Sequence, residues 1–168
     1  MRRLLLSASL LFVLLPAAGA SAKTYDLPAV LGGKLHRIAA ATDVPVLLPD
    51  HLALDYGGRL YGEAAVMKGG FAIGFDGAPD CGGANACSLA SVTAQRGGRP
   101  GYKRTVRLRG GVTGYFKPLT CGGSCSPPEL QFVHAGVLYG IAAKVPGQAR
   151  RRLVRAANEA LAAGDRSA

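Results

Sequence analysis

Residues 130–163, LQFVHAGVLYGIAAKVPGQARRRLVRAANEALAA, change period part-way along, and that change decides the fold. Leu130 to His134 and Val137 to Lys144 are rich in branched and aromatic residues and read as two strands, with Gly136 marking a tight turn between them. Pro146-Gly147 ends the extended run. From Gln148 to Ala163 the period is helical. Leu153, Ala156 or Ala157, Ala160 and Leu161 form an apolar stripe that Arg151, Arg152, Arg155 and Glu159 largely avoid. Gly164 stands where a helix stop belongs. A strand pair feeding directly into an amphipathic helix is the closing unit of an α+β domain.

Upstream, Val112 to Phe116 reads as a further strand. Tyr102 to Arg109 (YKRTVRLR) alternates, which predicts Tyr102, Arg104, Val106 and Leu108 on one face and Lys103, Thr105, Arg107 and Arg109 on the other. Ser88 to Gln95 resumes the same alternation before a loop at Gly97 to Gly101. Leu60 to Lys68 and Gly70 to Phe75 flank Gly69-Gly70 and predict a hairpin. Val44 to Pro49 is too proline-rich for a helix and reads as a short buried extended segment. Residues 26–41 are helical in their second half, where Leu31, Leu35, Ile38 and Ala39 recur at helical spacing. The expected fold is therefore α+β: a single, mostly antiparallel meander sheet with an N-terminal and a C-terminal helix packed on one face.

Residues 1–22 have the three parts of a secretory signal peptide. Arg2-Arg3 supplies the positive end, Leu4 to Leu15 the apolar run, and Ala20-Ser21-Ala22 the small-x-small cleavage pattern. The apolar run falls short of the roughly twenty residues that a membrane-spanning helix needs. Cleavage after Ala22 leaves residues 23–168 as one exported domain, with no transmembrane helix, in the periplasm or the medium. An oxidising compartment changes the meaning of the four cysteines. Cys81 and Cys87, and Cys121 and Cys125, form two clusters that each begin Cys-Gly-Gly. Four cysteines allow three pairings. Local pairing is favoured because nearby sulfurs meet first and the glycines allow sharp bends; cross-pairing and a four-thiolate zinc site stay open as alternatives. No cofactor is expected.

The formal charge of +10 falls to about +8 once Arg2 and Arg3 are removed. Outside the cytoplasm the matching partners are anionic envelope polymers, lipid headgroups and envelope proteins, not nucleic acid, and aromatics interleave too thinly for a single-strand platform. The densest basic set is Arg96, Arg99, Lys103, Arg107 and Arg109, which Arg150 to Arg152 and Arg155 could extend. Such a set can hold phosphate or sulfate through charge-assisted hydrogen bonds. The same residues also read as a solvated face that discourages edge pairing. His36, His51 and His134 are scattered, and no paired-carboxylate, phosphate-loop, calcium-loop or Gly-x-Ser-x-Gly pattern accompanies them. A non-enzymatic binding domain is the expectation. A hydrolase assembled from distant residues around His51 or His134 is the alternative.

Gly111-Val-Thr-Gly114-Tyr115-Phe116, Leu130-Gln-Phe132 and Gly136-Val137-Leu138-Tyr139-Gly140-Ile141, closed by an Ala- and Leu-rich helix, resemble a bacterial extracytoplasmic domain-of-unknown-function family. Its relatives occur in secreted proteins and beside anti-sigma or envelope-stress modules. Val46-Leu-Leu-Pro49 resembles the family's extended entry, and Phe132 occupies the place where a tryptophan is more usual. The resemblance implies a meander of a Gly-rich, an aromatic and a Gly-x-x-Tyr strand crossed by the final helix. An envelope-stress module is the functional class it adds.

Overall fold

The structure, a computed structural model, describes residues 22–166. The expected signal peptide lies outside that range, apart from Ala22. In chain order the elements are β1 (Lys23–Asp26), α1 (Leu27–Leu31), α2 (Gly33–Ala41), β2 (His51–Leu54), β3 (Tyr61–Met67), β4 (Gly70–Asp76), β5 (Ser88–Arg96), β6 (Arg104–Arg107), β7 (Thr113–Lys117), β8 (Thr120–Cys121), β9 (Cys125–Ser126), β10 (Glu129–His134), β11 (Val137–Ala143) and α3 (Ala149–Ala163). Seven strands form one sheet in the order β3-β4-β5-β11-β10-β7-β6, with every neighbouring pair antiparallel. The α+β fold is therefore as expected, but the meander runs in two halves. The chain builds β3-β4-β5, crosses to the far edge at β6, and returns through β7 and β10 until β11 docks on β5.

The core lies on one face of this sheet. Phe71, Ile73 and Phe75 of β4, Val92 of β5, Leu130 and Phe132 of β10, and Tyr139 and Ile141 of β11 are buried there. Phe132 and Tyr139 stack with ring centroids 5.3 Å apart. Leu153, Ala156, Ala157 and Ala160 of α3 are buried against β10 and β11, and α1 and α2 pack on β3. The opposite face carries Ser91, Thr93, Gln95, Tyr115 and Gln131, which are half-buried or exposed.

Local chemistry explains the boundaries. Asp26 caps α1 by accepting the Ala29 N–H at 2.9 Å. Gly32, at φ +51°, then separates α1 from α2: the second half of 26–41 is helical as expected, and the first half, which was not expected to be, forms a short helix of its own. Val44 and Val46 to Pro49 are buried and Pro45 is half-buried, but the segment joins no strand. The C-terminal tail satisfies its backbone instead: Asp165 Oδ1 accepts the Val46 N–H at 2.8 Å, and the Arg166 N–H donates to the Val46 carbonyl at 3.1 Å. The β10–β11 turn places Ala135 at φ +48° and Gly136 at φ +75°, the two positive angles of a type I′ turn. Two small antiparallel pairs, β1–β2 and β8–β9, were not expected from the sequence. The four-residue β1 has a single buried residue, Tyr25, too few to show a period.

The alternation at Tyr102 to Arg109 is corrected. Only Arg104–Arg107 form a strand, with Val106 buried on the core side. The Tyr102 hydroxyl donates to Glu129 Oε2, on the face opposite Leu130 and Phe132, so Tyr102 does not share the face of Val106. Pro100-Gly101 in front, and a 3-10 turn at Arg109–Gly111 behind, release both ends from strand geometry.

Candidate functional site

The basic set expected on one sheet face is divided in the structure. Arg96 is engaged elsewhere: its guanidinium donates to the Asp43 carbonyl and lies 3.3 Å from the Asp43 carboxylate. Arg99 and Lys103 are exposed in the connection before β6. Arg107 and Arg109 come instead to the side of α3, where they meet the arginines of that helix. The Arg109 backbone N–H donates to Asn158 Oδ1 at 2.7 Å, which docks the 3-10 turn on α3.

Two hollows follow the junction between this edge of the sheet and α3. The first, about 680 Å³, is lined by Val106, Arg107, Phe116, Arg150, Arg151 and Val154 among others. The second, about 430 Å³, is lined by Arg109, Arg151, Val154, Arg155, Asn158 and Glu159 among others. Arg151 and Val154 border both, so the two form one groove along the flank of α3. With 15 residues, α3 is about 22 Å long. The groove has an apolar floor of Val106, Phe116 and Val154 and a rim of exposed Arg107, Arg109, Arg150, Arg151 and Arg155.

Among the described residues, none of these five guanidiniums has an ion-pair or hydrogen-bond partner. The one acid lining the groove, Glu159, accepts the His51 backbone N–H at 3.3 Å. α3 also begins with an unfavourable charge pattern. Gln148 gives no side-chain cap, the first turn holds no acid, and Arg150, Arg151 and Arg152 stand there together. Cations near a helix N-terminus oppose its dipole by roughly 0.3–1 kcal/mol each. Arg152 is turned away, its Nε donating to the Pro146 carbonyl at 2.7 Å. The groove arginines therefore repel one another across a surface that holds little compensating charge, and a bound polyanion would relieve that repulsion.

Three other places bear on function. An apolar pocket of about 460 Å³ adjoins the start of α3, walled by Leu119, Cys125, Pro127, Pro128 and Val145, with Asp55 and Lys144 at its edge. A narrow cleft of about 120 Å³ gathers Thr24, His51, Arg152, Arg155 and Glu159. Its histidine meets Glu159 through the backbone, and the imidazole is exposed; His36 and His134 are exposed as well. On the open sheet face, Glu129 accepts from Tyr102 and Gln131, and Lys117 Nζ lies 3.7 Å from its carboxylate. Burial, then the hydrogen bond and charge of Glu129, hold the Tyr102 hydroxyl far above its ordinary range. Sequence reading missed this cluster because it depends on the register of β7 against β10, which pairs Lys117 with Glu129.

Both cysteine clusters pair locally. Cys81–Cys87 and Cys121–Cys125 have sulfurs 2.08 and 2.09 Å apart, and no free cysteine remains among the described residues. The first loop is tied to the sheet by Lys144, which donates to the Asn85 carbonyl, and to the second by Asn85, which donates to the Cys125 carbonyl at 3.3 Å. Among the described residues no helix is long and apolar enough to cross a membrane.

No protein-family model, no curated protein and no solved structure matches the chain. β7, β10 and β11 are neighbours in the sheet, and α3 packs on β10 and β11.

Proposed function

We propose that this is an exported, non-enzymatic domain that binds a phosphate-bearing anionic component of the cell envelope along the groove between β6 and α3. The observation that carries the reading is the row of five arginines without acidic partners on the two walls of one groove. Arginine offers a planar fork of donors that matches phosphate oxygens two at a time. A groove about 22 Å long, with an apolar floor, suits an extended polymer better than a single headgroup on a flat bilayer. The leader pattern and the two disulfides support an oxidising, extracytoplasmic setting. The hydrolase alternative finds little support at either histidine: among the described residues the one bond to a carboxylate at His51 comes from the backbone, and His134 is exposed with no side-chain partner.

The test compares two sources of the same chemistry. The exported protein is titrated with soluble polyphosphate by calorimetry, and sedimented with phosphatidylglycerol vesicles, each in low and high salt. The reading expects salt-sensitive binding to polyphosphate that Arg109→Ser, Arg151→Ser and Arg155→Ser together abolish. Binding to vesicles alone would reassign the ligand to a lipid surface. Unchanged binding by the triple variant would remove the groove from function.

A further inference from the structure

The sheet ends differently on its two sides. β6 is four residues long and has arginine at both ends, the short charged kind of edge that resists further pairing. β3 runs for seven residues, and every side chain from Glu63 to Met67 is exposed. Its pairing with β4 is continuous and without a bulge along its whole length. Among the described residues no strand pairs with its outer side. The centre of that edge, Ala64-Ala65-Val66-Met67, carries no charge and no proline. Val66 and Met67, 40% and 45% exposed, are two of the four large apolar side chains exposed among the described residues. None of the devices that blunt an open edge is present along those four residues.

Beside the edge, on the helix side, lies a cleft of about 190 Å³ lined by Lys34, Arg37, Ile38, Glu63, Ala64 and Val66. Lys34 is engaged: its Nζ meets Glu63 Oε1 at 2.8 Å and the Gly62 carbonyl at 2.7 Å. Arg37 is exposed and has no ion-pair or side-chain hydrogen-bond partner among the described residues. We propose that β3 accepts an extended, acidic segment of a partner protein as an eighth strand. The free backbone groups of β3 supply the ladder. The cleft reads alternate side chains of the incoming strand, an apolar one between Ile38 and Val66 and an acidic one at Arg37.

Charge selects this occupant over a second copy of the chain. Symmetric antiparallel pairing of two β3 strands must match inner face with inner face, so it centres on a residue such as Ala65. That arrangement brings Lys34 and Arg37 of one copy towards those of the other, and Lys68 adds to the same side of the balance. The only acid on the strand, Glu63, is already held by Lys34. Two copies of a protein with a large positive charge gain no compensating contact there.

The test uses the exported, oxidised protein, labelled with nitrogen-15, and a blocked seven-residue peptide in which threonine alternates with glutamate, valine and glutamate. Amide shifts are expected on β3 and α2 and nowhere on α3. A peptide with lysine in place of glutamate should bind about tenfold more weakly, and Arg37→Glu should reverse that preference. Val66→Asn, a surface change that leaves the core intact, removes the apolar contact and adds no charge, and it should weaken binding of both peptides. Absence of shifts on β3 up to low-millimolar peptide, or equal binding of the acidic and basic peptides, would overturn the proposal. A concentration-dependent dimer that Val66→Asn dissolves would also overturn it, in favour of a second copy.

Discussion

Arg151 borders both hollows of the groove and stands in the first turn of α3, so one substitution there tests stability and binding with opposite signs. In Arg151→Glu the helix N-terminus loses an opposing charge and gains a favourable one. Each is worth roughly 0.3–1 kcal/mol at the terminus, and solvent exposure selects the lower part of that range. The variant should therefore be more stable by about 0.5–1 kcal/mol, a rise of a few degrees in Tm. Its effect on ligand runs the other way. At about 5 Å in water one charge pair is worth roughly 0.8 kcal/mol, and reversal doubles the change, so affinity for a polyanion should fall about tenfold. Thermal unfolding followed by circular dichroism, and calorimetry with polyphosphate on the same sample, read the two effects. A lower Tm would show that Arg151 stabilises the fold, and unchanged affinity would show that it does not face the ligand. Either result refutes the reasoning that these arginines are kept against the stability of their own helix.

Ala135 occupies a position at φ +48° that asparagine tolerates better, so Ala135→Asn should stabilise the protein by about 0.5–1 kcal/mol by chemical denaturation, whereas Ala135→Val should destabilise it. Replacing Cys121 and Cys125 together by serine should cost about 2 kcal/mol from loop entropy. Replacing Cys81 and Cys87 should cost more, because their loop is also bonded to β11's end through Lys144 and to Gly77, whose N–H donates to the Cys87 carbonyl at 2.8 Å. Non-reducing peptide mapping should find the 81–87 and 121–125 bridges. Tyr25, Tyr102 and Tyr139 all have raised hydroxyl pKa values, with burial the first cause and Tyr139 pushed up to about 12. A raised folded pKa means the stabilising contribution is intact below the unfolded value of 10.0 and is lost as pH climbs through the folded one. Denaturation midpoints measured upward from there should fall, and Tyr139→Phe should make the fall shallower.

Much of the fold is legible in local pattern. Gly136 between two branched runs, Gly69-Gly70 between two others, and the helical stripe from Leu153 to Leu161 each encode an element within a few residues of itself. The buried Val44 to Pro49 segment is legible for the same reason, although its hydrogen-bond partners, Asp165 and Arg166, lie more than a hundred residues away in sequence. The candidate site is only half legible. The alternation of Tyr102 to Arg109 suggests one long strand, but the loop residues on either side cut it to four and send Arg109 to α3. The arrival of α3 beside β6 is a tertiary event, fixed by which helix face carries small apolar residues. The arginines are visible in the sequence, and the groove that gathers them is not. β3 follows the same logic: its strand is plain in the sequence, but its edge position is decided by β11 inserting next to β5.

Chemical-shift mapping of the oxidised, nitrogen-15-labelled protein during titration with polyphosphate reads the groove residue by residue. Shifts are expected along β6, the 109–111 turn and the 148–162 flank of α3, with a midpoint that rises steeply with salt. Shifts centred on the open sheet face at Tyr102, Lys117 and Gln131, or no shifts at low salt, would show that the groove is not a polyanion site.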